Sequence, residues 1–156
     1  MNVGMVVAHE VPGREDIAAL LAAHEAQMRG QTPTESCHVQ SADDLRAAKA
    51  RVYTLRSANG ALLAVGALLP LGPAHEELKS MHTAKPARGK GVGRRLLAGM
   101  ITDARSRGIL RLSLETGSGP QHGPSRALYA KTGFVETGPF ADYTDDPLST
   151  FMTRRL

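Results

Sequence analysis

The sequence predicts a mixed α/β domain built on a mostly antiparallel sheet. Three observations carry that prediction. Two apolar, β-rich runs flank an Asn59-Gly60 turn, the signature of an antiparallel hairpin. Further on, a strand runs through a glycine-rich turn into a helix and then another strand. That βαβ unit, at roughly 76–116, requires one parallel pair and a right-handed crossover. Finally, there is no repeat, low-complexity segment or Ser/Gly linker in the 156 residues, so 1–156 reads as a single domain.

The elements follow in order. VVAHEVP (6–12) is a short strand. Across 15–29, Ile17, Leu20, Leu21, His24 and Met28 recur at helical spacing and make one face. GQTPTES breaks that pattern. Ser41 with Asp44 three residues later reads as a capping box, opening a short helix to about 50. RVYTLRS (51–57) and ALLAVGALL (61–69) are the hairpin strands, and PLGPAH (70–75) reads as loop. EELKSMHTA (76–84) alternates as a strand. After the glycine turn, Leu96, Leu97, Met100, Ile101 and Ala104 form the apolar face of a helix of about four turns, which Gly108 stops. ILRLSLETG (109–117) is the next strand. Pro124 suits the first turn of a further helix, SRALYAKT, ending at Gly133, and GFVETGPF and STFMTRRL close the chain as strands.

Composition narrows the function. Hydrophobic residues make up 42% of the chain with no tryptophan, so Ala, Leu and Val fill most of the core. No apolar run approaches the roughly 18 residues of a membrane span, and MNVGMVVAHEVPG lacks the charged start and apolar centre of a signal peptide. A single cysteine, Cys37, leaves no internal disulfide. Together these predict a cytoplasmic protein without a membrane partner. The net charge of +4 suits an anionic ligand, but no Lys/Arg tract with interleaved aromatics points to nucleic acid. His9, His24, His38, His75, His82 and His122 are dispersed without metal spacing, so no metal is expected. His24 reads as a histidine packed on an apolar face. Cys37 and His38 are adjacent and so do not face each other as a nucleophile and its base. DYTDDP reads as a solvated acidic loop.

The dense basic cluster is PARGKGVGRRLL (86–97), where Gly89, Gly91 and Gly93 alternate among Arg88, Lys90, Arg94 and Arg95. A strand that opens through glycines into a helix is a phosphate site: the first helical N–H groups lack partners, the helix dipole favours an anion, and glycine permits positive φ and close approach. A P-loop fails, because Lys90 is followed by Gly91 rather than Ser or Thr. A GxGxxG fingerprint fails, because its third position falls on Arg94 or Leu96.

Arg88-x-x-Gly91-x-Gly93 between strand and helix resembles the pyrophosphate loop of the GCN5-related N-acetyltransferase (GNAT) family. SRALYAKTGF resembles that family's later motif, a helix carrying Leu128-Tyr129 that ends at Gly133-Phe134. The resemblance covers about 76–140 by motif and the rest by architecture. Two departures stand out: His122 occupies the place where many members carry asparagine, and Pro86 lies one position nearer the arginine than is common. ELKSMHT, LSLETG, HEAQMRGQTPTESCH and the tail GPFADYTDDPLSTFMTRRL are most similar to the bacterial YsnE-like branch, whose acceptors are mostly unassigned and whose name is associated with indole acids.

The resemblance implies a GNAT-like sheet with helices on both faces and one parallel strand pair splayed at the cofactor site. It implies acetyl-CoA as co-substrate and direct transfer of acetyl to an amine. The backbone of Met81, His82 and Thr83 would pair with the pantetheine arm, and the N–H groups of Arg88, Gly89, Lys90, Gly91, Val92, Gly93 and Arg94 would hold the pyrophosphate. Arg95 either joins them or is solvated surface. Ser125 and Tyr129 complete the implied cofactor contacts, with the Tyr129 phenol placed beside the sulfur as a proton donor. The first helix and GQTPTESCH would cover the acceptor side. Period-two alternation groups Ser113 with Glu115, and Glu77 with Lys79. Glu77 and Glu115 are thus the candidate carboxylates, one of them a base, unless they are exposed or hold the fold as ion pairs. The implied partner is a small-molecule or amino-acid-like acceptor; a homodimer stays open. The rival reading is a non-catalytic module that binds or senses acetyl-CoA.

Overall fold

The computed structural model describes residues 6–156; residues 1–5, on which the leader reading partly rests, lie outside it. The described chain forms a seven-stranded sheet in the order β1-β2-β3-β4-β5-β7-β6. The strands are β1 (Val6–Glu10), β2 (Arg51–Arg56), β3 (Leu62–Gly72), β4 (His75–Thr83), β5 (Arg111–Gly117), β6 (Val135–Thr137) and β7 (Ser149–Arg155), with helices α1 (Glu15–Gln31), α2 (Ala42–Ala47), α3 (Val92–Ser106) and α4 (Gly123–Lys131). Among the described residues only β4 and β5 pair in parallel.

Strand alternation divides the core in two. Ile17, Leu21 and Leu45 of α1 and α2 bury against Val52, Val65, Ala67 and Leu69. Leu96, Leu97, Met100 and Ile101 of α3 bury against Leu55, Leu68, Leu112 and Leu114 on the opposite face, where Tyr129 and Phe134 also pack. The helices therefore lie on both faces, as expected. The Ser41–Asp44 capping box forms reciprocally, a device worth about 1 kcal/mol to so short a helix.

One sequence reading is corrected. PLGPAH is not loop: β3 runs on through Pro70 to Gly72, and Gly72 pairs with His75 across a two-residue turn. Proline is tolerated because β3 outruns β2 there. β2 begins at Arg51 opposite Leu68, so Pro70 has a strand on one side only. β6 is also shorter than GFVETGPF, ending at Thr137.

Two irregularities position the site. The β4–β5 pairing runs from His75↔Arg111 to Leu78↔Leu114 and stops, although both strands continue. From Lys79 onward the β4 edge facing β5 is thus open. On its other edge, β4 places two residues, Ser80 and Met81, where β3 places one, Gly66, a bulge with Ser80 at φ 59°. Backbone held there by a non-glycine residue costs of order 1 kcal/mol or more. The bulge breaks the alternation of faces, so four consecutive residues, Leu78 to Met81, line one cleft.

Candidate active site

Two depressions open where β4 and β5 part. The first is a groove of about 690 Å³ between α3 and α4, floored by Met81, His82 and Thr83. The cations Arg88, Arg94 and Lys131 line it, and no carboxylate does among the described residues. Gly89 and Gly91 have φ 77° and 75°, conformations that L side chains rarely adopt. Gly91 caps α3, whose first helical N–H with a backbone partner is that of Arg95, bonded to the Gly91 carbonyl. The N–H groups of Val92, Gly93 and Arg94 are left at the positive end of the helix dipole. Gly93 differs from these two: its φ is ordinary, and a Cβ there would meet Thr83 Oγ1 at 3.4 Å, close to ordinary van der Waals contact.

Two details differ from the expected loop. The Arg88 N–H is committed to the Lys85 carbonyl at 3.3 Å, so the free amides begin at Gly89. Lys90 does not line the groove, whereas the other anticipated cofactor residues do, including Ser125 and Tyr129. The Arg88 side chain also turns back into the protein, donating to the Thr83 carbonyl at 2.9 Å and to Gln27 Oε1 at 3.0 Å.

The second depression is a cleft of about 110 Å³ formed by α1, the α1–α2 connection, β4 and β5. Ser36, Cys37 and His38, from the GQTPTESCH segment, form its roof. Glu115 and Lys79 bring opposite charges to its wall. Glu115 Oε2 accepts from Ser149 Oγ at 2.8 Å. Burial, abetted by the charge of Glu77, raises the Glu115 pKa above the usual carboxylate value, against the opposing pull of Ser149, His38 and Lys79. Glu77 shares this sheet face but not the cleft lining. Its Oε2 accepts from the Tyr143 hydroxyl at 2.5 Å and lies 3.6 Å from Lys79 Nζ, which itself donates to Tyr143 at 2.8 Å.

Tyr143 was invisible to sequence reasoning, because DYTDDP reads as solvated acid. Here it stands edge-on to His38 at 5.0 Å and packs on Phe140 and Phe151. Three of the six Phe and Tyr residues thus back the cleft. Asp146 from the same loop accepts from Ser36 Oγ at 2.5 Å, clasping the tail to the roof.

Groove and cleft share one wall: His24, Met28, Met81, His122, Ser125 and Tyr129 line both. Tyr129 is buried edge-on to Phe134 at 5.9 Å, and burial raises its phenol pKa. The dispersed histidines also converge. His24 Nδ1 lies 3.0 Å from His82 Nδ1, 58 residues away in sequence. Burial drives His24 down to about 3 and His82 down to about 4. No group of three or more His, Cys, Asp or Glu side chains is placed to hold a metal among the described residues.

A basic, glycine-edged helix terminus beside an open strand edge is the arrangement anticipated for a pantetheine and pyrophosphate. The GNAT acetyltransferase family model matches residues 17–134. The chain belongs to the GNAT acetyltransferase family. It is 38% identical to the N-acetyltransferase YsnE of Bacillus subtilis (strain 168), over 94% of this chain and 96% of that one. A solved acyl-CoA N-acyltransferase structure from Klebsiella pneumoniae matches with a TM-score of 0.79 and 28% identity, covering 97% of each chain. The acetyltransferase yncA from Salmonella typhimurium, solved with its cofactor acetyl-CoA, shares the fold at TM-score 0.71 and 17% identity, over 97% of this chain and 94% of that one. The protein is an acyltransferase with acetyl-CoA as co-substrate. The groove fits that group: its cations, free amides and open strand edge complement a diphosphate and an amide-bearing arm. Among the described residues no helix is long and apolar enough to cross a membrane.

Proposed function

We propose that the protein transfers acetyl from acetyl-CoA to the amine of a small, amino-acid-like acceptor by direct attack. One observation carries the reading. The basic groove and the carboxylate-bearing cleft share a wall, so a thioester lying along the groove and an amine entering the cleft meet at the same residues. A module that only sensed acetyl-CoA would need the groove and not the cleft.

Acetyl-CoA supplies an activated acyl carbon; the C–N bond forms as the C–S bond breaks. The open edge of β4 at Met81, His82 and Thr83 bonds the pantetheine arm as an added strand. The amides from Gly89 to Arg94 hold the diphosphate. Glu115 takes the proton from the attacking amine, directly or through a water. Its raised pKa moves it toward neutrality, where a general base works better. Tyr129 gives its hydroxyl proton to the departing thiolate, and its buried phenol is fully protonated at neutral pH. Glu77, held by Tyr143 and Lys79, keeps Lys79 in place rather than serving as the base. A cytoplasmic setting goes with this reading, with neither nucleic acid nor membrane as partner.

The test is CoA release against a panel of amines, amino acids and indole acids. Turnover of an amine, lowered by about 100-fold in Glu115→Gln with acetyl-CoA affinity nearly intact, is the expected result. Tight acetyl-CoA binding with no turnover across the panel would instead leave a sensing module.

A further inference from the structure

The Arg88–His82–His24 chain, which the mechanism above does not use, fixes one proton. Arg88 NH2 lies 3.3 Å from His82 Nε2. A guanidinium can only donate, so Nε2 of His82 accepts and carries no hydrogen. A neutral imidazole has its proton on the other nitrogen, so His82 bears it on Nδ1. That Nδ1 faces Nδ1 of His24 at 3.0 Å, so His82 donates and His24 Nδ1 accepts. The His24 proton must then sit on Nε2. The rings meet edge-on, with centroids 5.0 Å apart and planes at 68°, an arrangement compatible with an in-plane N–H aimed at a lone pair. Burial agrees with two neutral rings, since it opposes protonation of both.

His24 lies on the wall common to groove and cleft, where the reacting atoms meet if the proposed transfer is right, and this inference rests on that reading. A base at His24 is excluded, because Nε2 already carries its proton and Nδ1 is engaged. What His24 offers is a fixed donor. Of the reacting atoms, the amine nitrogen needs its lone pair for attack and the sulfur is a poor acceptor. The carbonyl oxygen is the atom on which negative charge develops. We propose that His24 donates its Nε2–H to the acetyl carbonyl oxygen, and that Arg88, acting through His82, is the positioning residue that sets this tautomer. No proton is transferred in this role: the donor stabilises charge and keeps its hydrogen. The chain links the phosphate turn to the reacting centre, because one arginine ties the Thr83 carbonyl, Gln27 of α1 and the histidine pair together.

Three readouts test the proposal on the full chain. Nitrogen-15 NMR of labelled histidine reads the tautomer without any acceptor: His24 should carry its proton on Nε2, and Arg88→Met should release that preference. An Nδ1–H tautomer in the native protein, or no change in Arg88→Met, would overturn the relay. Isotope-edited infrared spectra of carbonyl-13C acetyl-CoA read the bond to oxygen. The thioester carbonyl stretch should lie lower on the native protein than on His24→Leu. His24→Gln, which keeps an amide N–H, should restore part of the shift, and identical bands in all three would overturn the oxygen contact. In turnover, His24→Leu should lower kcat by about 100-fold, the scale for one lost oxyanion donor, with acceptor KM nearly constant. A rise in acceptor KM at unchanged kcat would assign the donor to the acceptor and overturn the proposal. If no acceptor is turned over, the transfer reading fails, yet the tautomer and the carbonyl band still decide this one.

Discussion

The groove and the cleft lie side by side on the splayed strands and are built by opposite means. The groove is largely backbone: an open strand edge, two left-handed glycines and the first amides of α3, nearly all within 81–94. The cleft is side chains from α1, the α1–α2 connection, β4, β5 and the segment before β7. A backbone site writes itself into sequence as glycine spacing, since only certain residues can adopt its φ values. A side-chain site assembled across long sequence separations leaves no spacing to read. The first should thus respond to changes in conformation and charge at single turns, and the second to loss of single polar atoms.

Tyr129→Phe probes the wall that both regions share, and the largest change belongs there. Deleting the hydroxyl keeps the ring packed on Phe134 and removes only the proton donor. The maximal rate should fall by about 100-fold, while acetyl-CoA affinity by calorimetry changes little. A native rate across pH would show that water protonates the thiolate and that Tyr129 is packing.

Gly91→Asp attacks the groove through its backbone. At φ 75° any side chain is strained, and a carboxylate placed at the α3 terminus repels phosphate. Acetyl-CoA affinity should drop more than tenfold, at least about 1.4 kcal/mol. Gly91→Ala shares the strain without the charge and should lose clearly less. Equal losses would mean that conformation alone builds the site; unchanged binding in the folded Asp variant would remove the diphosphate from this turn.

Legibility in the sequence follows the same division. The strand–turn–helix at 76–106, the Asn-Gly hairpin and the Pro124 helix were readable because each is fixed by residues a few positions apart. PLGPAH was misread because proline signals a loop unless the neighbouring strand happens to end, and where β2 ends is a tertiary fact. Ser113 and Glu115 were grouped on one face by alternation. The bulge at Ser80 was not foreseeable, since serine carries no mark of positive φ. Nor was the meeting of His24 with His82, which depends on how α1 crosses the sheet. Tyr143 was hidden by its acidic neighbours: Asp142 and Asp145 stay exposed, while the ring turns in and Asp146 accepts from Ser36.

Tyr143→Phe tests whether the cleft depends on one atom. The hydroxyl both donates to Glu77 and accepts from Lys79, and its loss leaves a buried carboxylate with one partner at 3.6 Å. A hydrogen bond to a charged group is worth roughly 1.5–3 kcal/mol, so thermal stability should fall measurably. With Lys79 loosened, acceptor KM should rise by about threefold to fivefold, the effect of roughly 1 kcal/mol or less, and acetyl-CoA affinity should hold. A matching loss of cofactor affinity would show the two regions to be energetically one.

The smallest effect expected is on stability, and it separates function from fold at Glu115. Burial raises the pKa of this carboxyl in the folded protein relative to the unfolded chain. Between the unfolded value and the raised folded value, the native state therefore binds more protons. Stability falls as pH rises through that window, and the full penalty is present above it. Gln cannot ionise and can still accept from Ser149 through its amide oxygen. Glu115→Gln should thus melt higher than the native protein near pH 7, by about 2 °C, the scale of a change below 1 kcal/mol in a chain of this length. The difference should shrink as pH falls below the ordinary carboxylate range, where Glu115 is neutral in both states. Thermal unfolding at neutral and acid pH measures it, beside the rate already expected to fall. A variant that is less stable at pH 7 would show the carboxylate stabilising the fold through Lys79 and His38. A variant more stable yet nearly inactive would show a buried charge kept at a cost to stability because the cleft uses it.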